Sequence, residues 1–317
     1  MEISNTVLAQ VGIMFLLIAV GFFCYKKGMI NEDTGVHMSE ILLMIVTPAV
    51  LIKAFQIEFN KSLLSGLLLS FGLAVLSHIV SVLVSIIIVR KDKSSKNYAI
   101  ERFACVYGNA GFMGIPLISA VFPENGVFYA SAFLAVFNIF MWTHGVTLMS
   151  KKKSPKELLK VFKSPPIIGI AIGLILFVFS IKLPPVLYST VSYISDLNTP
   201  LAMIVTGIYI AKTNLLTAFT DIKIYKVAFA RLLLIPLIMV GLFTFIKFND
   251  ATRTVAIATM VATACPSAAS TLLLAAKFRL SPEHGSKIIA ATTVFSIITM
   301  PLVMFILDSV IGKLGVI

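Results

Sequence analysis

The stretch Gly108-Asn109-Ala110-Gly111-Phe112-Met113-Gly114-Ile115-Pro116 lies inside a run, 103–123, that contains no Asp, Glu, Lys or Arg. It is apolar enough to sit in a bilayer, yet three glycines and a proline do not continue an ordinary helix. Inside a helix Gly costs about 1 kcal/mol and Pro about 3 kcal/mol relative to Ala, and Pro also removes a backbone donor. Non-helical backbone at membrane depth persists only where it faces protein or a wet cavity. The stretch therefore reads as a broken transmembrane helix with a site at the break.

The rest of the chain fits that setting. Of its 317 residues 58% are hydrophobic and 13% charged, with a mean hydropathy of +1.00. A soluble domain carries about a quarter charged residues, so an ordinary soluble enzyme is excluded and the lipid bilayer is the first partner. The net charge of +12 does not point to nucleic acid, because the cations are spread over short segments and no soluble domain is left to gather them. Cys24, Cys105 and Cys265 sit in or beside apolar runs without metal-binding spacing, so neither disulfides, nor a metal, nor any other cofactor is expected. A signal peptide is not expected either, since Glu2 and no Lys or Arg precede the first apolar run.

A span needs about 20 apolar residues. The runs 3–25, 62–89, 103–123, 125–150, 164–181, 254–276 and 288–307 qualify directly, and 227–246 joins them if Arg231 is tolerated and snorkels to the cytoplasmic side. Two shorter runs, 41–52 and 197–211, reach spanning length only through Glu40 and Asp196 at their N-terminal ends. The expectation is an all-α integral membrane protein of ten transmembrane helices. Alternate loops hold 20 of the 26 Lys and Arg residues, which by the positive-inside rule leaves both termini outside. The largest loop, 151–164, is Lys-rich and cytoplasmic.

The prolines expose a repeat. Thr47-Pro48 and Thr199-Pro200 are 152 positions apart, and Pro116 and Pro266 are 150 apart. Five spans per repeat is odd, so residues 1–150 and 165–317 lie in opposite orientations. This is the inverted-repeat pattern of secondary transporters, with helices 4 and 9 broken and each proline opening a half-helix. Two half-helix N-termini meeting at mid-membrane offer free N–H groups and partial positive charge, a site for an anion and most simply a carboxylate. Gly108, Asn109, Gly111 and Pro116 come from one break; Pro266, Ser267, Ser270 and Thr271 come from the other. Asn109 reads either as an amide donor to the ligand or as a helix cap. Asn138, Trp142 and Thr143 read equally as cavity lining and as packing. No Asp or Glu lies mid-span, and His78 and His144 read as interhelical hydrogen bonders. No metal motif or nucleophile–base pair stands at helical spacing, so an enzyme is not expected, and no loop is long enough for a sensor's output domain.

Residues Asn109 to Leu117 resemble the helix-4 motif of the auxin efflux carrier family, and Leu197-Asn198-Thr199-Pro200-Leu201-Ala202-Met203 is similar to its helix-7 motif. That family includes plant auxin exporters and bacterial permeases for malate or malonate. The resemblance covers nearly the whole chain. It implies the inverted five-helix repeats, with helices 4 and 9 broken where they cross. It also implies a scaffold of helices 1, 2, 6 and 7, a moving domain of 3–5 and 8–10, a homodimer, and Asn109 as a substrate contact. The long central loop of many plant members is missing, which suggests a bacterial cell membrane. The expected function is elevator-type transport of a small organic anion, a dicarboxylate such as malate or alternatively an auxin-like indole acid, by export or exchange. Coupling to sodium or to protons is left open; a sodium ion held by unwound backbone carbonyls leaves no side-chain signature.

Overall fold

The computed structural model describes residues 2–91, 97–150 and 161–314, so residues 151–160 of the Lys-rich loop lie outside the described residues. Among the described residues every regular element is helical, and extended pairing is confined to one isolated antiparallel bridge. Seven helices are long and apolar enough to cross a membrane. They are α1 (Glu2–Lys26), α2 (Asp33–Ala54), α3 (Lys61–Ile88), α5 (Gly126–Ser150), α7 (Pro185–Lys212), α8 (Ile222–Phe243) and α10 (Pro282–Leu314). As expected, α2 and α7 gain their length through polar N-terminal residues, Glu40 and Asp196 among them. A shorter apolar helix, α6 (Pro165–Val178), has 14 residues; at 1.5 Å each it covers about 21 Å, less than the hydrocarbon core.

Besides a single turn at Leu215–Ala218, two further elements remain, and both are interrupted. Helix α4 consists of α4a (Asn97–Val106) and α4b (Ala110–Val121); α9 consists of α9a (Asp250–Ala264) and α9b (Ser270–Lys277). Pro116 stands in the first turn of the regular α-helical part Ile115–Val121, behind a π-turn that already begins the half-helix, whereas Pro266 opens no half-helix, contrary to the sequence expectation. Segment α4b starts at Ala110, six residues before Pro116, and α9b starts at Ser270, four residues after Pro266. The breaks fall where the two segments pair with each other, and Pro266 lies in that extended link.

Proline is accommodated by a different device. Wide π-helical turns at Leu42–Val46, Ala110–Gly114 and Ala230–Leu234 each end two residues before a proline, namely Pro48, Pro116 and Pro236. A proline ring clashes with the carbonyl four residues back and has no N–H to donate to it; a locally wider turn moves that carbonyl aside. A fourth π-turn, Met141–Gly145, has no proline and interrupts α5.

Packing divides the helices into two sets. Helices α1 and α7 pack along their length, and α2 packs on α6 and α7; α3, α4a, α5, α8, α9 and α10 pack mainly on one another. At the centre of the second set α9a is buried all round: Val255, Ala256, Ala258, Met260, Val261 and Thr263 have no exposed surface. The periphery carries a broad apolar surface, with Leu16, Ile87 and Ile298 each above 70% exposed. A soluble monomer does not expose so much; lipid covers it.

The α1–α7 contact depends on glycine. A methyl group on Gly207 would collide with the Ile18 carbonyl, and one on Gly21 with the Ile204 carbonyl. The helices approach backbone to backbone, the packing that small residues permit in membranes. We expect Gly207→Ala to lose at least about 1–3 kcal/mol of stability, the usual cost of overpacking, since a backbone carbonyl cannot rotate away. A thermal melt of detergent-purified protein, followed by loss of the monodisperse peak, checks this.

Candidate functional site

The two breaks face each other. Gly108 and Ser267 form the antiparallel bridge; the Asn109 N–H donates to the Pro266 carbonyl at 2.7 Å and the Ala268 N–H to the Tyr107 carbonyl at 2.9 Å. The Ser267 hydroxyl donates to the Ala104 carbonyl at 3.0 Å, and its N–H donates to Thr292 Oγ1 at 3.2 Å. Each broken helix thus supplies part of the hydrogen bonding that the other lost.

The carbonyls that end α4a and α9a still need donors, and Arg231 supplies them. It is 2% exposed. Its Nε donates to the Cys265 carbonyl at 2.8 Å and Nη2 to the Thr263 carbonyl at 2.8 Å, while Nη1 reaches the carbonyls of Val106 at 3.2 Å and Cys105 at 3.4 Å. The expectation that Arg231 snorkels to the cytoplasm is therefore wrong. Buried C=O groups in hydrocarbon are costly to leave unpaired, and a guanidinium, with five N–H groups in a fixed fork, satisfies two helix ends at once. The first motif glycine follows from this: a methyl group on Gly108 would collide with Arg231 Nη2. A charged residue in an otherwise apolar run was the available signal, since such residues inside a membrane usually mark function.

Beside the crossing lies a cavity of about 320 Å³. Gly108, Asn109 and Gly111 line it from the first break, and Ala268, Ala269 and Ser270 from the second. Thr47 of α2 and Asn138 and Trp142 of α5 complete its polar wall. Asn109 immediately precedes α4b, yet its side chain makes no capping bond, which removes the simpler reading of this residue. Thr47 Oγ1, Trp142 Nε1 and Ser270 Oγ are buried without a protein partner. Asn138 is half engaged, its Nδ2 donating to the Leu134 carbonyl one turn back at 2.8 Å. Among the described residues the one charged side chain on the wall is Lys277, whose Nζ stands 5.4 Å from the centre of the Trp142 ring. Three of the four π-turns contribute to this wall and the fourth carries Arg231.

Of the residues singled out from sequence, Gly108, Asn109, Gly111, Asn138 and Ser270 come together on the cavity. Pro266 and Ser267 are spent on the crossing itself. Thr271 is fully buried behind the wall, its hydroxyl without a partner. Pro116 lines a second cavity, of about 540 Å³, one turn further along α4b. The two cavities lie end to end. Along α2 the first ends at Thr47 and the second begins at Val50; along α4b they meet between Phe112 and Ile115. Thr143 turns back to the Ile139 carbonyl, 2.7 Å away. His144 bonds across to the Tyr107 hydroxyl at 3.0 Å, whereas His78 is held by the Ala74 carbonyl of its own helix at 2.8 Å. Thr47 and Lys277 went unread in the sequence, Thr47 because it served only as a repeat marker and Lys277 because it sits at a helix end like any loop lysine.

A multi-pass helical protein with a donor-lined cavity at two crossed helix breaks has the build of a membrane transporter. The family model described as "Membrane transport protein" matches residues 6–158 and again residues 150–304. The chain belongs to this family, that of the auxin efflux carriers. Among its relatives are uncharacterized transporters of Methanocaldococcus jannaschii, 25% identical over 92% of this chain and 95% of the relative, and of Methanothermobacter thermautotrophicus, 22% identical over 91% and 94%.

We expect Arg231→Met to be severely destabilising, because each of its carbonyl partners then costs about 1–3 kcal/mol. Gly108→Ala should also destabilise. The double variant should cost clearly less than the sum of the two, since the methyl group no longer meets a guanidinium. Detergent thermal melts of the four proteins in that cycle decide it; simple additivity would separate Gly108 from Arg231.

Proposed function

We propose that the protein carries a small organic anion, a dicarboxylate such as malate foremost, by elevator-type alternating access, in export or exchange. The observation that carries this reading is the chemistry of the smaller cavity. It has unpartnered N–H and O–H donors, an uncapped Asn109 amide, two half-helix N-termini and one lysine, with no carboxylate on the wall. Such a surface repels cations and leaves neutral solutes with donors that they cannot all satisfy.

The architecture supports the mechanism. The breaks cross antiparallel, as five-helix halves of opposite orientation would, and the family model matches in two consecutive stretches. On this reading the described elements are ten crossings, with residues 1–150 and 165–317 as the two halves. Helices α1, α2, α6 and α7 form the scaffold, and α3–α5 with α8–α10 form the moving domain. The crossing then travels as one body, because Arg231, α4a and α9 all belong to the second set. The scaffold contributes Thr47 to the smaller cavity and Asn198 to the larger, so a shift of one turn along α2 and α7 would transfer the site between them. Loop charge supports both termini outside: with Arg231 removed from the count, 19 of the remaining 25 cations still lie on one side. The smaller cavity, with Lys277 at its wall, then opens inward. The reading takes a bacterial cell membrane as the setting and a homodimer as the assembly.

The membrane potential contributes about 2.3 kcal/mol per charge per 100 mV, so a dianion leaving a negative interior gains about 4.6 kcal/mol at 100 mV. Export needs no coupling ion. A second substrate, an indole-like weak acid, is favoured by one feature, the aromatic wall of Phe112, Phe137 and Trp142.

Counterflow in proteoliposomes, with labelled malate against unlabelled carboxylates and indole-3-acetate, tests the class. Competition by dicarboxylates supports the first reading and competition by the indole acid alone supports the second; no exchange defeats both. Asn109→Ala should weaken substrate binding at least tenfold while the protein remains folded, and unchanged half-saturation would remove Asn109 from the site. An imposed potential should drive malate efflux in proportion to its charge; indifference to potential would replace electrogenic export with electroneutral exchange.

A further inference from the structure

The larger cavity contains a feature that packing does not explain. Asn198, at the start of the Thr199-Pro200 turn of α7, is 3% exposed and lines this cavity, yet both its Oδ1 and its Nδ2 are buried without a hydrogen-bond partner. A side-chain amide offers two donors and two lone pairs. Buried unsatisfied polar groups are rare in native proteins and each asks for an explanation. A leucine of similar size would fill the same space without that cost, so the amide is positioned for something that enters the cavity.

The surroundings indicate what that is. The cavity wall presents an amide from Asn198, a hydroxyl from Thr199 and an ammonium from Lys53. The smaller cavity presents the same three groups in Asn109, Thr47 and Lys277, and Thr199 is the repeat counterpart of Thr47. The charge balance differs. Lys53 is paired with Asp196 at 3.0 Å, and Glu124 also lines the cavity, so its charged wall residues sum to one net negative charge against one positive charge at the smaller cavity. An ammonium has three N–H groups and can keep Asp196 while donating to a ligand.

We infer that the larger cavity is a second carboxylate station, with the Asn198 amide as its contact and Lys53 as its cation, and that it binds more weakly than the station at Asn109. This rests on the organic-anion reading above. It adds a place on the far side of the crossing where the anion is received and from which the net negative wall releases it.

The test is malate counterflow in proteoliposomes of defined orientation, with half-saturation measured separately at each face. In the wild type the face served by Asn198 should show the higher value. Asn198→Leu should raise half-saturation at that face about tenfold and leave the other face within twofold. The detergent melting temperature of this variant should hold or rise, because an unsatisfied amide has been removed. Equal effects at both faces, or none, would overturn the inference, as would a fall in melting temperature, which would show that the amide is structural. Should the leucine variant not fold, Lys53→Gln decides, and unchanged affinity at its face counts against the second station. Wild-type vesicles that exchange no carboxylate would defeat the carrier reading itself and this station with it; wild-type exchange with an intact Asn109 effect would leave only the second station at stake.

Discussion

Everything at the centre of this protein depends on one buried guanidinium. Breaking two helices in mid-membrane exposes carbonyls that neither water nor lipid can satisfy, and Arg231 bonds four of them. The bridge between Gly108 and Ser267 joins the same two breaks. With Arg231 in place, both breaks become a rigid feature, and the backbone around them is free to shape a cavity. Gly108 is a glycine because the guanidinium occupies the space where a side chain would stand.

The prolines serve a second constraint. Pro48, Pro116 and Pro236 each follow a π-turn, and such turns commonly occur at functional sites. Here they widen the helix beside the crossing, which aims Thr47, Gly111 and Phe112 at the cavity and Arg231 beneath it. The same distortion that relieves the proline clash therefore builds the site. Helix α5 reaches a similar result at Met141–Gly145 without a proline and contributes Trp142.

Much of this was legible from residue types. The apolar runs marked the helices, because lipid admits little else, and the glycine-rich stretch at 108–116 marked a break, because glycine and proline oppose helix locally. Asn109 stood out as an amide with no local reason to be buried. The roles of Pro266, Ser267 and Arg231 were not legible. They depend on which backbone groups from a distant helix come within hydrogen-bond distance, and nothing in the spacing of residues 231, 266 and 108 encodes that. A lone arginine near a helix end satisfies snorkelling and burial equally well until its partners are seen. The orphaned amide of Asn198 was hidden for the same reason, since an unsatisfied group is defined by what fails to approach it.

By itself the sequence determined the setting and the class. Hydropathy, loop charge and the position of helix-breaking residues are local properties that lipid and water read directly, so they required a multi-pass helical protein with an interrupted helix at 108–116. The tertiary structure alone decided where the breaks meet, that Arg231 holds them, and which of the small and polar residues line a cavity rather than sustain the crossing. Those outcomes depend on hydrogen bonds between segments from about thirty to more than a hundred and fifty residues apart, and they exist only once those segments have packed against each other.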